Sequence, residues 1–295
     1  MDATLTAGVE LVIDARVRLG EGPVWDDATG ELVWVDILDG IVHRTASATG
    51  RDVTFEVGRS VGAVGLREGG GLVLATDDGF HLLDPGATTT RRIAPVEADD
   101  PLTRMNDGKV DPAGRFWAGT MAFDEVSVMG SLYRLDPDGS VTTMLTEVGI
   151  SNGLDWSIDG STMYFTDTLT HGIDTFRWDV ATGEISDRRN LITLTADQGD
   201  PDGMTLDAEG YLWVACWGGW RVRRYAPDGV FDREIRFPVA HVSSVAFGGS
   251  DLDELYVTTA WHKLEPADRA GQPLAGSLFR CRPGVQGRPS ARFAG

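Results

Sequence analysis

Short runs of apolar, β-branched and aromatic residues recur six times along the chain, and each run follows a polar turn. The runs begin at Leu32, Leu72, Phe116, Met163, Leu212 and Leu255. A glycine-led segment of apolar and polar residues follows each run, and these segments begin at Gly40, Gly79, Gly130, Gly172, Gly219 and Gly276. Asp and Gly in the turns favour β-hairpins. Both landmarks repeat at about 45 residues, the length of one four-stranded antiparallel blade.

Six such repeats predict an all-β fold, a six-bladed β-propeller with four-stranded antiparallel blades. We expect a single domain over residues 1–295. The last repeat lacks an obvious fourth strand, and the alternating segment Val9–Val17 near the N-terminus is expected to supply it and close the ring. The competing interpretation, two unrelated β-sandwiches, does not explain why both landmarks occur six times.

The composition limits the possible partners and the compartment. The chain has 26 Lys+Arg against 45 Asp+Glu, a net charge of −19, which disfavours nucleic acid and anionic membranes because both attract basic residues. The 37 glycines are spread along the chain, as expected for many turns. Two cysteines cannot form a disulfide framework, and no secretory signal or membrane-spanning run is seen. We therefore expect a cytoplasmic protein, monomeric or weakly homo-oligomeric.

Four polar residues share one register of the repeat. The strand before each apolar run should lie nearest the propeller axis, and Glu21, Asn106, Asn152 and Asp202 stand at the start of four such strands. Equivalent positions in a ring of blades converge, so these side chains should meet at one end of the central channel. Burying the two carboxylates without a partner is costly. A divalent cation that prefers oxygen ligands, Ca²⁺, Mg²⁺ or Mn²⁺, would offset that cost.

A simpler interpretation exists for two of these residues. Asn152-Gly153 and Asp202-Gly203 are also favourable hairpin dipeptides. Turns alone explain neither Glu21 nor the shared register, so we favour the metal site. Asp107 and Asp167 are more typical of hydrogen-bonded structural carboxylates. No nucleophile motif or phosphate-binding loop is found, so catalysis on this chain would depend on the metal and the carboxylates.

Several segments, in order, resemble the senescence-marker-protein/gluconolactonase (regucalcin-like) family of sugar lactonases. They are Gly20–Trp25, Arg104–Arg115, Ala118–Met121, Ile150–Ser157, Pro201–Met204 and Asp207–Cys216. The resemblance extends over nearly the whole chain. It implies a six-bladed propeller, in agreement with the repeat count, and hydrolysis of sugar-acid lactones to the open aldonic acids with one divalent metal ion, Ca²⁺, Zn²⁺, Mn²⁺ or Mg²⁺.

The resemblance also implies roles for individual residues. Glu21, Asn152 and Asp202 match the three protein ligands of the metal, and Arg104 and Asn106 match a substrate-contacting pair. Asp124 stands where relatives have Glu as a further substrate contact, and its shorter side chain would enlarge the pocket. In the mechanism that we expect, Asp202 also acts as the general base toward the attacking water.

Other functions remain open at this stage. The first is hydrolysis of other esters or organophosphates on the same scaffold, because a fold does not choose its substrate. The second is a calcium-binding regulatory protein without catalysis. The Arg104 and Asn106 pair favours an enzyme, since an ion buffer does not need it. The third is a propeller that serves only as an interaction scaffold, with an exposed apolar or charged top face and no metal.

Overall fold

Six sheets, each with four antiparallel strands and one with an additional fifth strand, are arranged around a central axis in the computed structural model, which describes residues 8–295. Blade 1 contains β2 (Gly20–Asp26), β3 (Glu31–Asp36), β4 (Ile41–Ala46) and β5 (Arg51–Glu56). Blade 2 contains β6 (Val61–Arg67), β7 (Leu72–Thr76), β8 (Gly79–Leu83) and β9 (Arg91–Pro95). Blade 3 contains β10 (Thr103–Val110), β11 (Phe116–Ala122), β12 (Gly130–Leu135) and β13 (Val141–Val148).

The second half of the chain repeats this arrangement. Blade 4 contains β14 (Ser151–Trp156), β15 (Thr162–Asp167), β16 (Gly172–Trp178) and β17 (Ile185–Thr193). Blade 5 contains β18 (Asp200–Leu206), β19 (Leu212–Trp217), β20 (Arg221–Tyr225) and β21 (Phe231–Arg236). Blade 6 contains β22 (Val242–Gly248), β23 (Glu254–Thr259), β24 (Leu278–Cys281) and the N-terminal β1 (Val9–Ile13). The predicted six-bladed β-propeller is confirmed.

The ring closes as the sequence predicts. Strand β1 pairs antiparallel with β24, with Val9 opposite Cys281 and Leu11 opposite Phe279. The sixth blade thus takes three strands from the end of the chain and its outermost strand from the beginning. This pairing covers the outer edge of β24, which would otherwise be exposed at the seam.

Apolar side chains fill the space between neighbouring blades. Trp25 of blade 1 stacks on Tyr256 of blade 6 with ring centroids 5.6 Å apart, and Trp117 of blade 3 meets Trp156 of blade 4 at 5.9 Å. Paired aromatic rings at these distances stabilise beyond the area they bury. These tryptophans therefore pack between blades.

Helical structure is limited to short connections. Two 3₁₀ helices cover Thr168–Thr170 and Ala196–Gln198, and one short α-helix, α1, covers Pro266–Gly271. Over residues 8–295 no helix has the length and apolar character needed to cross a membrane.

A short additional strand lies near the C-terminus. The first strand of each of the six blades in the order given above (β2, β6, β10, β14, β18 and β22) lies nearest the axis and is called its inner strand. Strand β25 (Arg292–Phe293) runs parallel to the inner strand β6 of blade 2, so this sheet has five strands. The segment from Gln286 onward crosses the propeller at the end of the channel where the inner strands finish, and Gly287 pairs there with Asp207. The repeat pattern does not predict this segment.

Candidate active site

Each inner strand has an irregular register at the same end of the channel. The pairing with the second strand of the blade shifts between Glu21 and Val24, Val61 and Ala63, Met105 and Gly108, Ser151 and Leu154, Pro201 and Met204, and Val242 and Ser244. A β-bulge bends the strand and turns side chains out of the normal alternation. Asn106, Asn152 and Asp202 all lie inside such bulges, and Glu21 lies at the edge of one. The shared sequence register thus corresponds to a shared backbone irregularity.

The glycines after two of these residues allow neighbouring inner strands to approach closely. A Cβ on Gly153 would lie 2.5 Å from the backbone nitrogen of Met204, and a Cβ on Gly203 would lie 2.5 Å from Cβ of Ser244. Neither glycine has a positive φ. Asn152-Gly153 and Asp202-Gly203 are therefore strand residues packed against the next blade, and the hairpin interpretation of these dipeptides is wrong.

The predicted residues face one cavity of about 260 Å³. Its walls include Glu21, Arg104, Asn106, Asn152 and Asp202, and all five side chains are buried. The volume is slightly below the ~300–1,000 Å³ typical of pockets for drug-sized ligands, which favours a small molecule. Residues from blades 1, 3, 4 and 5 thus converge as the repeat register predicts.

Two of these side chains are carboxylates without a cationic partner. In residues 8–295, neither Glu21 nor Asp202 forms an ion pair with Lys, Arg or His. Burial raises the pKa of Glu21 well above its ordinary value, with repulsion by Asp107 adding to it. Burial and then repulsion by Glu21 raise the pKa of Asp202. Attraction by Arg104 offsets only part of the rise in the pKa of Glu21, so an excess of negative charge remains at the site.

The donor set fits a hard divalent cation. Glu21 and Asp202 contribute carboxylate oxygens, and Asn152 contributes an amide oxygen, which are the ligands that Ca²⁺, Mg²⁺ and Mn²⁺ prefer. No group of three or more His, Cys, Asp or Glu side chains with the geometry of a metal site is found within residues 8–295. A metal here would therefore use the two carboxylates together with Asn152, as the resemblance implies.

A chain of hydrogen bonds fixes the polar side chains. The Arg104 guanidinium donates to Oδ1 of Asn106 at 2.7 Å, and Nδ2 of Asn106 donates to Oδ1 of Asn152 at 3.1 Å. Nδ2 of Asn152 donates to Oγ1 of Thr168 at 2.8 Å, and that hydroxyl donates to the Pro201 carbonyl at 2.8 Å. These hydrogen bonds connect blades 3, 4 and 5, and the last of them ends beside Asp202. Together they fix the Asn152 amide with its oxygen, rather than its nitrogen, toward Asn106.

Two lesser acidic candidates have different environments. Asp167 accepts hydrogen bonds from the backbone nitrogens of Gly149 and Ile150, both at 3.0 Å, so its structural role is confirmed. Asp107 accepts one from the Gly108 nitrogen at 2.7 Å, yet burial raises its pKa to about 6. Asp107 therefore adds to the negative potential around Glu21 and Asp202.

Asp124 does not line the cavity. Its Oδ1 accepts hydrogen bonds from the backbone nitrogens of Val126 and Ser127, both at 2.9 Å, so the carboxylate braces its own turn on the surface. The acidic side chain that lines the cavity from this loop is Glu125. The assignment of Asp124 as a substrate contact is corrected here: Glu125 adopts φ +60°, and the turn directs the two side chains differently.

Sequence reasoning missed Glu125, His262 and Lys263, which also line the cavity. A topological signal was available for them. Inner strands begin at the site, so each second strand ends there, and the connection from second to third strand must border the cavity. Glu125 lies on that connection in blade 3, and His262 and Lys263 lie on it in blade 6.

A second, larger cavity of about 390 Å³ lies farther along the channel. Three of its charged groups are paired: Nζ of Lys109 lies 3.1 Å from Oδ2 of Asp155, and Arg288 lies 2.8 Å from Oδ1 of the same residue, whereas Asp107 also lines this cavity without an ion pair among residues 8–295. Residues 288–291 of the C-terminal segment form part of its wall. Because Lys109, Arg288 and Asp155 already form ion pairs with one another, these three side chains are less available to a charged ligand than Glu21 and Asp202.

The fold and the site define a class: six-bladed propellers with an oxygen-rich, negatively charged site on the axis. The family model described as the SMP-30/Gluconolactonase/LRE-like region matches residues 19–261. This chain belongs to that family. Regucalcin from Xenopus laevis is 40% identical over 294 residues, covering 97% of this chain and 98% of its own length.

Two solved structures are similar over almost their entire length. A calcium-binding protein, regucalcin from Agrobacterium tumefaciens, superimposes with a TM-score of 0.92 and 32% identity, covering 97% of each chain. A luciferin-regenerating enzyme superimposes with a TM-score of 0.90 and 32% identity, covering 99% of this chain and 100% of the other. Family membership supports a lactonase or calcium-binding role for this chain.

Proposed function

We propose that this protein hydrolyses sugar-acid lactones to the open aldonic acids with a bound divalent metal ion. The observation that carries the proposal is the pair of buried carboxylates, Glu21 and Asp202, which lack a cationic partner and share a cavity with Arg104 and Asn106. The gluconolactonase in the name of the matching family model supports the same reaction.

Glu21, Asn152 and Asp202 would hold the metal. A divalent cation bound there would polarise the lactone carbonyl and keep both carboxylates ionised. The oxygen ligands favour Ca²⁺, Mn²⁺ or Mg²⁺, and Zn²⁺ also accepts carboxylate oxygens. The Thr168 hydrogen bond fixes the amide nitrogen of Asn152, and the amide oxygen, which accepts one hydrogen bond from Asn106, has a second lone pair for a metal.

The side chains of this chain supply base catalysis and orientation. The Asp202 carboxylate accepts a proton from water as the water oxygen adds to the lactone carbonyl carbon. The ring C–O bond then breaks, and the proton passes from Asp202 to the departing ring oxygen, which becomes a hydroxyl. Arg104 and Asn106 bind the sugar hydroxyls, and Glu125 replaces Asp124 as the loop acid that faces them. Fixed orientation of this kind lowers the entropic part of the barrier.

A panel of lactones tests the proposal. Glucono-, xylono- and arabinonolactone are assayed after EDTA treatment and after separate addition of Ca²⁺, Zn²⁺, Mn²⁺ and Mg²⁺. We expect EDTA to abolish turnover and at least one metal to restore it. Glu21→Ala and Asp202→Ala should each lose activity, whereas Asp187→Ala, an exposed acid on β17, should keep it. Near wild-type turnover in both site variants would contradict the proposal.

A calcium-binding role without catalysis is the second candidate, because the similar Agrobacterium protein is described as calcium-binding. It predicts calcium binding that depends on Glu21 and Asp202, with no turnover of any lactone. An aryl ester and a phosphofluoridate in the same panel test for the other hydrolytic reactions. Isothermal titration with Ca²⁺ beside the lactone assay distinguishes the two candidates.

A further inference from the structure

Three side chains form an ionic contact across the mouth of the cavity. Oε1 of Glu125 lies 3.1 Å from Nε2 of His262, and Oε2 lies 2.5 Å from Nζ of Lys263. Glu125 belongs to blade 3, whereas His262 and Lys263 belong to blade 6. These blades are three positions apart in a ring of six, so the contact joins opposite sides of the propeller over the site.

The loop that carries Glu125 is an internally braced unit. Residues 123–129 connect β11 to β12, and Asp124 holds the turn together through the backbone nitrogens of Val126 and Ser127. The outer side of the loop is open to solvent, with Val126 72% and Val128 58% exposed. In the described part of the chain, only Glu125 connects residues 123–129 to another blade through a side-chain hydrogen bond or ion pair.

Both partners in this contact adopt an unfavourable backbone conformation. Glu125 has φ +60° and Lys263 has φ +62°, in the left-handed region that favours glycine. Non-glycine residues remain in this region only where their surroundings hold them there. The ionic contact thus joins two loop residues that both have left-handed backbone conformations.

We propose that Glu125, His262 and Lys263 form a latch that holds the 123–129 loop over the cavity and limits the size of lactone that enters. The proposal rests on the function proposed above, because size selection requires that lactones bind in this cavity. A single sugar ring fits under the closed loop, and a lactone with a second sugar ring requires the latch to open. His262 and Lys263 thereby determine specificity from the opposite blade.

The latch should depend on charge. His262 and Lys263 hold the pKa of Glu125 at about 2 against the effect of burial, so the carboxylate is ionised at neutral pH. The Lys263 side chain is 51% exposed, so dissolved salt screens the pair. Salt should therefore loosen the loop in the wild-type protein and have little effect once the charge on Lys263 is removed.

Amide hydrogen exchange tests the latch without reference to catalysis. The exchange rate of peptides covering residues 123–129 is compared among the wild-type protein, Glu125→Gln and Lys263→Met. The control is Arg177→Met, which loses an exposed ion pair to Asp187 on blade 4, away from the latch. We expect about fivefold faster exchange in both latch variants and no change in the control. Raising the ionic strength from about 0.01 M to about 1 M should speed exchange in the wild type and in Arg177→Met, which both keep the latch, and have little effect in the two latch variants. Equal exchange in all four proteins would overturn the latch.

Kinetics test the size limit. The ratio of kcat/KM for lactobionolactone, a disaccharide lactone, to that for δ-gluconolactone should rise about tenfold in Lys263→Met and stay constant in Arg177→Met. A ratio that does not rise would overturn the size limit. If no lactone is hydrolysed by the wild type, the proposed function fails, and the exchange measurement still decides whether the latch exists.

Discussion

The two ends of the central channel treat buried carboxylates in opposite ways. At the end where the inner strands begin, Glu21 and Asp202 have no cationic partner among the described residues. At the other end, Asp155 is equally enclosed but lies 3.1 Å from Lys109 and 2.8 Å from Arg288. Burial raises the pKa of the first two groups, whereas the cations outweigh burial at Asp155 and lower its pKa. Among the described residues, Arg104 compensates the charge of Glu21 and Asp202 only in part, whereas Asp155 forms two ion pairs.

The C-terminal segment is responsible for much of the pairing at the second end. Arg288 binds Asp155, and Arg292 lies 2.8 Å from Oδ1 of Asp26, which is on the same inner strand as Glu21. Strand β2 therefore carries a paired carboxylate at one end and an unpaired one at the other. The same protein neutralises Asp26 and Asp155 at one end of the channel, but within residues 8–295 it forms no ion pair with Glu21 or Asp202 at the other. This contrast indicates that the charge of Glu21 and Asp202 is available to a ligand.

Removing one carboxylate at the site should have the largest effect. Asp202→Asn removes the proposed base and a metal ligand, and kcat/KM for δ-gluconolactone should fall by about 10²–10⁴. The same substitution should raise the melting temperature of the metal-free protein, since it removes a buried, uncompensated charge. Steady-state kinetics and calorimetry check the two parts, and a lower melting temperature would contradict the account of this end.

The matching substitution at the other end should affect stability instead. Asp155→Asn leaves Lys109 and Arg288 without their carboxylate, and the free energy of unfolding should fall by about 3 kcal/mol. Urea denaturation measures the loss. If Asp155→Asn reduces kcat per folded molecule as strongly as Asp202→Asn does, the contrast between the two ends is wrong.

Metal should stabilise the site end, and more at higher pH. Ca²⁺ at about 100 times its Kd should add about 2.7 kcal/mol to the free energy of unfolding. Glu21 and Asp202 have a higher pKa in the folded protein than in the unfolded chain. Their contribution to the stability of the metal-free protein is therefore fully present only below their unfolded pKa values of about 4, and it is lost as the pH rises through the folded pKa. The metal requires the ionised forms, so the melting-temperature shift should be larger near pH 8 than near pH 5. If the melting-temperature shift does not depend on pH, or if Asp202→Asn keeps it, the cation does not bind at Glu21 and Asp202.

The smallest expected effect concerns the close approach of inner strands. Gly153→Ala places a methyl group 2.5 Å from the Met204 nitrogen, and the free energy of unfolding should fall by about 1–3 kcal/mol. Metal binding should also weaken, because blades 4 and 5 would separate at Asn152 and Asp202. Gly69→Ala is the control, because a Cβ there would meet nothing within 4 Å. Equal melting temperatures for the two variants would show that the strands tolerate the added methyl.

Much of the fold was predictable because the repeats determine both the strands and their order. The six apolar runs coincide with the second strands of the blades, and Val9–Val17 contains the closing strand β1. The two-residue strand β25 was not predictable, since Arg292–Phe293 is too short to show periodicity. Its position depends on tertiary contacts with β6 and on the ion pair with Asp26.

The site was predictable where it follows the repeat register and not where it lies on loops. Glu21, Asn106, Asn152 and Asp202 converge because equivalent residues in a closed ring must do so. Asp124 and Glu125 are adjacent on a connection without a repeat, and only the left-handed conformation of Glu125 determines which carboxylate faces the cavity. Backbone φ at a single loop residue leaves no periodic signal in a sequence.

The pairing of β1 with β24 has a consequence for the order of folding. Val9 and Cys281 are partners although almost the entire chain separates them, so closing the ring incurs a large loss of loop entropy. Contacts between such distant residues form late and slowly. The four main strands of each of blades 1 to 5 are consecutive and can form during synthesis, whereas blade 6 must wait for β24. Glu21 and Asp202 flank that last blade in the ring, so the capacity to bind metal should appear only when the seam has closed.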